Sequence, residues 1–345
     1  MAAQGAQGTS LKSYVLTRLL LVLPMVWILL TMVFLLMRVA PGDPISASLG
    51  GRVPRPVVEQ IRHRLGFDKP ILTQYVNYLW DTLHLDFGTT ITDRRPVTDV
   101  IKENGAATLE LTIAAMLIAI VVGISVGLLA GRYRDTPIDV GGRLFGIVIY
   151  AMPVFWLGFL CQLFFGSYLG ILPTSDRASP VTQALLQTHT NLFLIDSALD
   201  GNWAAFKDVF LHLILPATTL GLVIAGIFIR LVRVNVIRTL KDDYVEAARA
   251  RGISERAVVY HHAFRNALVP VITVVGLQMA LLLSGAVLTE TTFNWPGIGK
   301  QLVFYLNNRD YTAVQGIIVM FALIVVFVSL LIDLVSAAID PRIRY

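Results

Sequence analysis

Six long runs of uncharged, mostly apolar residues constrain this chain more than any other feature. Each run has at least 19 residues, and about 20 apolar residues in a helix cross the hydrocarbon core of a bilayer. The runs are Leu19–Met37, Leu111–Gly131, Leu144–Gly170, Val209–Ile229, Ala267–Thr289 and Tyr311–Ile332. Charged residues make up 15% of the chain, whereas soluble domains carry about 25%. The sequence therefore predicts an all-α membrane protein with six transmembrane helices.

The distribution of lysine and arginine predicts how these helices are oriented, because cytoplasmic loops are enriched in both residues. The loops 171–208 and 290–310 hold only two such residues each. Fifteen of the 28 fall in the segments 1–18, 132–143, 230–268 and 333–345. We therefore expect both termini to be cytoplasmic. Cations on the inner side then explain the net charge of +5 without a nucleic-acid partner.

The chain divides, on this reading, into two parts. Residues 1–110 hold the first transmembrane helix and a long extracytoplasmic loop, and residues 111–345 hold a five-helix core with a cytoplasmic loop, 230–268. Apolar residues recur at helical spacing over 55–70 and again over 71–88. These stretches predict two amphipathic helices, which lie on the outer membrane surface, contact a partner, or form a lid that covers the spans.

The predicted spans carry few polar groups. No Asp, Glu, Lys or Arg lies near the middle of any run, which argues against a proton relay. Glu110 and His212 are expected at the membrane interface, and the single cysteine, Cys161, is expected to be a packing residue. An intramembrane enzyme lacks support, because no span carries a nucleophile with a base or a set of metal ligands.

Glycine and proline positions predict how the spans pack and bend. Gly123, Gly127 and Gly131 stand four residues apart and form a smooth strip for close helix contact. Pro153 and Pro216 are expected to kink the third and fourth helices, where neighbouring helices can satisfy the freed carbonyls.

A charged, alanine-rich stretch, DYVEAARARGISERAVVYHHAFRNALVP, separates the fourth and fifth runs. Asp243 is expected to cap a helix that starts at Tyr244, with Glu246 as its reciprocal partner. Gly252 is well placed as the left-handed residue that ends this helix, and a second helix follows from about Ser254. A helix of about two turns is marginal alone in water, so it must dock on something.

Two other interpretations of this stretch are weaker. A basic patch that holds anionic lipid is disfavoured, because carboxylates are interspersed with the arginines. A metal site at His261 and His262 is disfavoured, because adjacent residues on a helix do not face each other.

The segment EAARARG, Glu246–Gly252, resembles the signature of ABC importer permeases, in which it forms a coupling helix that docks on a cytoplasmic ATPase. The residues His262 to Arg265 depart from the general family pattern and look like its dipeptide/oligopeptide/nickel branch. Further segments resemble the B-type subunit of that branch: RVAPGDP, LGFDKPILTQY, TETTFNWPGIGKQL, NNRDYTAVQG and IDPRIRY. The resemblance implies a type I importer (MetI-like) permease fold with a long extracytoplasmic loop after the first helix.

The resemblance also implies partners and cargo. The expected partners are a second homologous permease subunit, one or two ABC ATPase subunits, an extracytoplasmic solute-binding protein and membrane lipid. The chain lacks a GxxxxGK[ST] phosphate loop, so ATP and Mg²⁺ are expected on the ATPase, with no catalytic residue, cofactor or metal here. The implied cargo is dipeptides or oligopeptides. Nickel, glutathione, heme or another small solute stays an alternative, as does a scaffold or channel that does not pump.

Two sets of site residues follow from the resemblance and from the pattern. The candidate coupling residues are Tyr244, Glu246, Ala247, Ala248, Arg249, Arg251, Gly252, Ile253 and Ser254. A second segment on the outer side is a candidate gate or receptor contact, and the alternative is an interfacial aromatic anchor. Its residues are Phe293, Trp295, Pro296, Gly297, Phe304 and Tyr305.

Overall fold

The computed structural model describes residues 11–39, 54–64, 66–283 and 286–339, and within them the fold is helical apart from one isolated bridge between Thr89 and Pro96. Most of RVAPGDP and IDPRIRY lies outside these residues, as do both chain ends. The helices up to the middle of the chain are α1 Leu11–Val39, α2 Arg55–Arg64, α3 Ile71–Leu83, α4 Val97–Arg132, α5 Pro137–Ala151 and α6 Val154–Cys161. They are followed by α7 Pro180–Leu185, α8 Phe193–Leu199, α9 Trp203–Thr239, α10 Asp243–Ala250, α11 Glu255–Ala257, α12 Phe264–Ala267 and α13 Val269–Leu283. The last are α14 Val287–Thr292, α15 Ile298–Asn307 and α16 Tyr311–Ile339, and π-helical turns occupy Gln162–Tyr168 and Val258–Ala263.

The described helices include between four and six membrane spans rather than six straight ones. Four qualify alone by length and hydropathy, within α1, α4, α9 and α16. The third apolar run is divided into two helices whose axes differ by 103°, and the fifth is bent by 50° between α12 and α13. The expectation of six is therefore met only if each bent pair crosses the membrane as one span.

The two prolines act differently. Met152 has extended backbone angles, φ −71° and ψ 131°, because a residue before proline is disfavoured in the helical region. The chain therefore breaks ahead of Pro153, more sharply than a kink. By contrast, α9 continues as one helix through Pro216.

The glycine strip forms a close contact between α4 and α9, which confirms that prediction. A Cβ atom on Gly127 would lie 2.8 Å from the Ile229 carbonyl oxygen and 2.8 Å from the Val232 Cβ. A Cβ on Gly131 would lie 2.9 Å from the Val236 Cβ. These side chains can approach so closely only because the facing residues lack a Cβ.

The first and last helices share a second core. Leu30 and Val33 of α1 are buried with Val314 and Ile317 of α16. The loop between α1 and α4 forms the two expected helices, α2 and α3. The predicted division at residue 110 falls inside α4, which runs unbroken from residue 97 to residue 132.

Candidate functional site

The coupling segment, defined here as residues 242–263, begins with a short helix. Asp242, rather than Asp243, is the N-cap, and its side chain makes no capping hydrogen bond. The predicted reciprocal pair of Asp243 with Glu246 is therefore wrong, because the helix starts one residue earlier than expected. Gly252 has φ +78°, which confirms it as the left-handed residue that ends the helix.

Two side chains anchor α10 to the rest of the chain. Val245 and Ala248 are buried and pack against Val258 and Ala263 of the following π-helical turn. Ile253 packs on the edge of this cluster and is half-buried. Ala248 and Ile253 therefore contact their own chain rather than presenting themselves to a partner.

The other residues of α10 are exposed. Tyr244 has 39% of its surface exposed. Ala247 and Arg251 are also exposed. The small side chain of Ala247 therefore lies between the larger side chains of Tyr244 and Arg251. The remaining exposed candidates are Glu246, Gly252 and Ser254. This face offers shallow apolar surface with a cation at one end, which suits a groove on another protein.

Arg249 is exposed but is used within the segment. Its Nε and Nη2 donate to the two carboxylate oxygens of Glu255, at 3.0 and 2.8 Å, and Nη1 donates to the Leu240 carbonyl at 3.3 Å. One side chain therefore ties the end of α9 to both sides of the Gly252 turn, so this arginine orders the segment.

A buried ion pair lies at the base of the coupling segment, and sequence reasoning missed it. Asp139 of α5 is fully buried, and its carboxylate accepts from Arg233 of α9 at 2.5 and 2.8 Å. Arg143 lies 3.6 Å away. The pair joins α5 to α9, the helix that precedes the coupling segment.

The outer candidate residues are mostly buried within this chain, in what we call the Trp295 cluster: Trp295, Glu290, Thr108, Glu110 and Arg177. Trp295 is fully buried, and its indole Nε1 donates to the Ala107 carbonyl at 2.9 Å. Thr108 Oγ1 donates to Glu290 at 2.6 Å, and the Lys300 backbone N–H donates to the same carboxylate at 2.8 Å. Burial raises the pKa of Glu290 above the ordinary glutamate value.

The other outer candidates divide by exposure. Phe293 and Tyr305 are buried, and Gly297 leaves no room for a Cβ beside Glu290. Pro296 is half-buried. Phe304 keeps 46% of its surface exposed. Four of the six are therefore buried within the chain, and only Phe304 presents a large exposed surface for direct contact.

Glu110 and His212 were expected at the membrane interface, but both are buried inside the protein. Glu110 accepts from Arg177 at 2.8 Å, and Arg177 also lies over the Phe193 ring at 3.9 Å. His212 Nδ1 lies 2.8 Å from the Asp208 carbonyl. The ion pair joins residues 67 positions apart, so no local pattern in the sequence marks it.

Among the described residues, no group of His, Cys, Asp and Glu is arranged to hold a metal ion. His261 and His262 lie in the π-helical turn. Cys161 is partly buried and unpaired with another cysteine.

The apolar spans and the close helix contact are those of a multi-pass membrane protein. The chain belongs to the family of binding-protein-dependent transport system inner membrane components, which matches residues 120–345. The N-terminal component of the same class of transport system matches residues 11–112. The chain is therefore a permease subunit of an ABC transport system, a membrane component rather than an enzyme.

Relatives of similar length align over nearly the whole chain. The di/tripeptide transport system permease protein DppB of Pseudomonas aeruginosa is 39% identical over 334 residues, 96% of this chain and 99% of the relative. The dipeptide transport system permease protein DppB of Escherichia coli K12 is 38% identical over 96% of this chain and 98% of its own. The glutathione transport system permease protein GsiC of Salmonella choleraesuis is 35% identical over 96% and 99%.

Proposed function

We propose that this chain is the B-type permease subunit of an ATP-driven importer that carries dipeptides across the cytoplasmic membrane. The names of the two relatives that align over nearly the whole chain at 38–39% identity support peptide cargo. Both termini and the coupling segment lie on the cytoplasmic side in this proposal, in agreement with the positions of lysine and arginine.

The exposed face of α10 is the docking surface for the ATPase. The observation that carries this proposal is the division of one short helix into two faces. Val245 and Ala248 hold it to its own chain, while Tyr244, Ala247 and Arg251 are exposed. Eight residues are too few for an independent helix, so a partner that covers the bare face stabilises it further.

The ATP cycle moves the permease through this contact. When the ATPase subunits close, α10 is carried with them, and the Arg249–Glu255 pair keeps the Gly252 turn rigid. The movement then passes to α9 directly and to α5 through the Arg233–Asp139 pair. The spans switch between inward-facing and outward-facing arrangements with a second permease subunit, and a solute-binding protein delivers cargo to the outer side.

Substituting Ala247 by arginine tests the docking surface. We expect the ATPase retained on the purified complex to fall about tenfold or more, because overpacking a tight contact costs ~1–3 kcal/mol. Ala184→Arg is the matched control, since Ala184 is equally exposed but lies in α7. Membrane levels of both variants are measured alongside. Equal ATPase retention in the two variants would remove the docking role.

The cargo is tested separately with the complete reconstituted complex and its binding protein. A dipeptide is expected to stimulate ATP hydrolysis and to enter the vesicles only when ATP is present. Glutathione is the second candidate, because a relative named for glutathione transport is 35% identical. If glutathione and not dipeptides stimulated ATP hydrolysis, glutathione would replace dipeptides as the proposed cargo. If the solute entered the vesicles without ATP, a channel would be favoured.

A further inference from the structure

A polar cavity of about 300 Å³ lies where α1, α3 and α16 meet, apart from the coupling segment and the Trp295 cluster. The span of α1 ends at Arg38, and the span of α16 begins at Tyr311. Arg38 and Thr312, which lie at these two ends, both line the cavity. The cavity therefore lies level with one surface of the membrane, where lipid headgroups are found.

The cationic side chains of Arg38 and Lys69 line one part of the cavity, and both have N–H donors that no described residue uses. Arg38 uses its Nε to donate to Gln74 at 2.9 Å, and its guanidinium group lies over the rings of Phe34 at 4.8 Å and Phe67 at 4.4 Å. The terminal nitrogens of Arg38 and the Nζ of Lys69 have no acceptor among the described residues. Aromatic rings thus hold a guanidinium in place while its donors stay available.

Acceptors line the same cavity. The carboxylate of Asp81 accepts no hydrogen bond from a described residue, and Asp86 uses one oxygen for the Gly88 N–H at 2.9 Å. The hydroxyl of Tyr78 is buried beside Gln315 without a hydrogen bond of good geometry in the described part of the chain. A buried polar group without a partner costs free energy, so a ligand that supplies one is favoured.

We propose that this cavity binds the headgroup of a zwitterionic phospholipid that carries a primary ammonium group, of the phosphatidylethanolamine type. Arg38 and Lys69 receive the phosphate, and Asp81 and Asp86 receive the ammonium. A primary ammonium donates three hydrogen bonds, whereas a trimethylated ammonium donates none. The carboxylates therefore select the primary amine among zwitterionic lipids, and the two cations contribute to binding any phospholipid.

The position of the cavity favours a lipid over a free zwitterion of the same charge pattern. Met32 and Leu35 of α1 lie within two turns of Arg38 and are 59% and 48% exposed. They leave apolar surface on the same helix open to acyl chains. A free dipeptide also carries an ammonium and an anionic group, but it has no chains to place on this surface.

The test measures which lipids stay bound to the complete purified transporter in nanodiscs. The discs contain equal amounts of phosphatidylethanolamine and phosphatidylcholine, and native mass spectrometry counts the retained molecules. Lys69→Gln and Asp81→Asn are the test variants, because both residues are exposed and make no side-chain contact that the fold needs. Asp99→Asn is the matched control, an exposed carboxylate at the start of α4 outside the cavity.

The wild type and the Asp99→Asn variant are expected to retain more phosphatidylethanolamine than phosphatidylcholine. Asp81→Asn should lower that preference by about fivefold, and Lys69→Gln should lower retention of both lipids by a similar factor. Equal retention of the two lipids by the wild type, or no effect of either test variant, would overturn the site. The complex in detergent is also incubated with the dipeptide Gly-Gly. If Gly-Gly bound, if its binding required Lys69 and Asp81, and if no lipid were retained, the assignment to lipid would be overturned.

Discussion

The coupling segment and the Trp295 cluster differ in how completely the chain satisfies its own side chains. In the cluster, Trp295, Glu290 and Arg177 are all buried, and each makes hydrogen bonds within the chain. In the coupling segment, two buried side chains hold a helix of eight residues whose other face is bare. The side chains of the cluster are therefore satisfied within the chain, whereas most of α10 is left exposed.

Burial thus distinguishes two segments that the sequence pattern marked alike as candidate contact sites. Each includes residues of a short helix, α10 in the coupling segment and α14 in the Trp295 cluster. Burial separates them: Trp295 is fully buried, whereas Ala247 is exposed. Substitutions in the cluster should therefore lower stability, and substitutions on the bare face of α10 should lower assembly while leaving stability nearly unchanged.

The largest expected effect comes from Arg177→Met in the Trp295 cluster. The change leaves Glu110 buried without its cation, which is expected to destabilise the fold by ~3–5 kcal/mol. Thermal unfolding of the purified complex measures it. Arg95→Met is the control, because the Arg95–Glu103 pair is exposed and such pairs are worth about 0–1 kcal/mol. Equal shifts in the two variants would contradict the comparison.

A smaller loss of stability is expected from Gly127→Ala, which tests the close contact between α4 and α9. The added Cβ would lie 2.8 Å from the Ile229 carbonyl oxygen, so unfolding should cost about 1–3 kcal/mol less. Gly105→Ala in the same helix has no atom within 4 Å of its new Cβ and should gain up to about 1 kcal/mol. If both variants changed stability alike, the strip would not be a close contact.

The smallest effect concerns pH and Glu290. Its pKa in the folded protein is raised by burial, so the stability it contributes is full below the ordinary value of 4.5 and is lost as pH rises. Glu290→Gln should therefore show a shallower loss of stability above that pH than the wild type. A slope unchanged by Glu290→Gln would show that this carboxylate does not titrate as described.

Local features of the sequence predicted local structure well. Gly252 adopts the left-handed conformation because no Cβ hinders it there, and spacing of four placed the glycine strip on one face of α4. The predicted start of α10, at Tyr244, was wrong by one residue. Asp242 and Asp243 are both acceptable caps, so the residue types alone do not decide between the two starts.

Long-range pairing could not be predicted. Glu110 and Arg177 are separated by 66 intervening residues, and Asp139 and Arg233 by 93, so no spacing rule connects them. Aromatic residues near a span end look alike whether they face lipid or the protein interior. The burial of Trp295 therefore required the fold, which places the Ala107 carbonyl opposite its indole.

Site-directed cross-linking from position 247 tests the central claim most directly. Cys161→Ala first removes the single cysteine, and Ala247→Cys or Ala184→Cys is then introduced. Membrane vesicles that hold the complete transporter are treated with a short thiol-to-amine cross-linker. A product of permease and ATPase from Ala247→Cys, absent from Ala184→Cys, is the predicted result. No product from Ala247→Cys, or equal products from both variants, would contradict docking through α10.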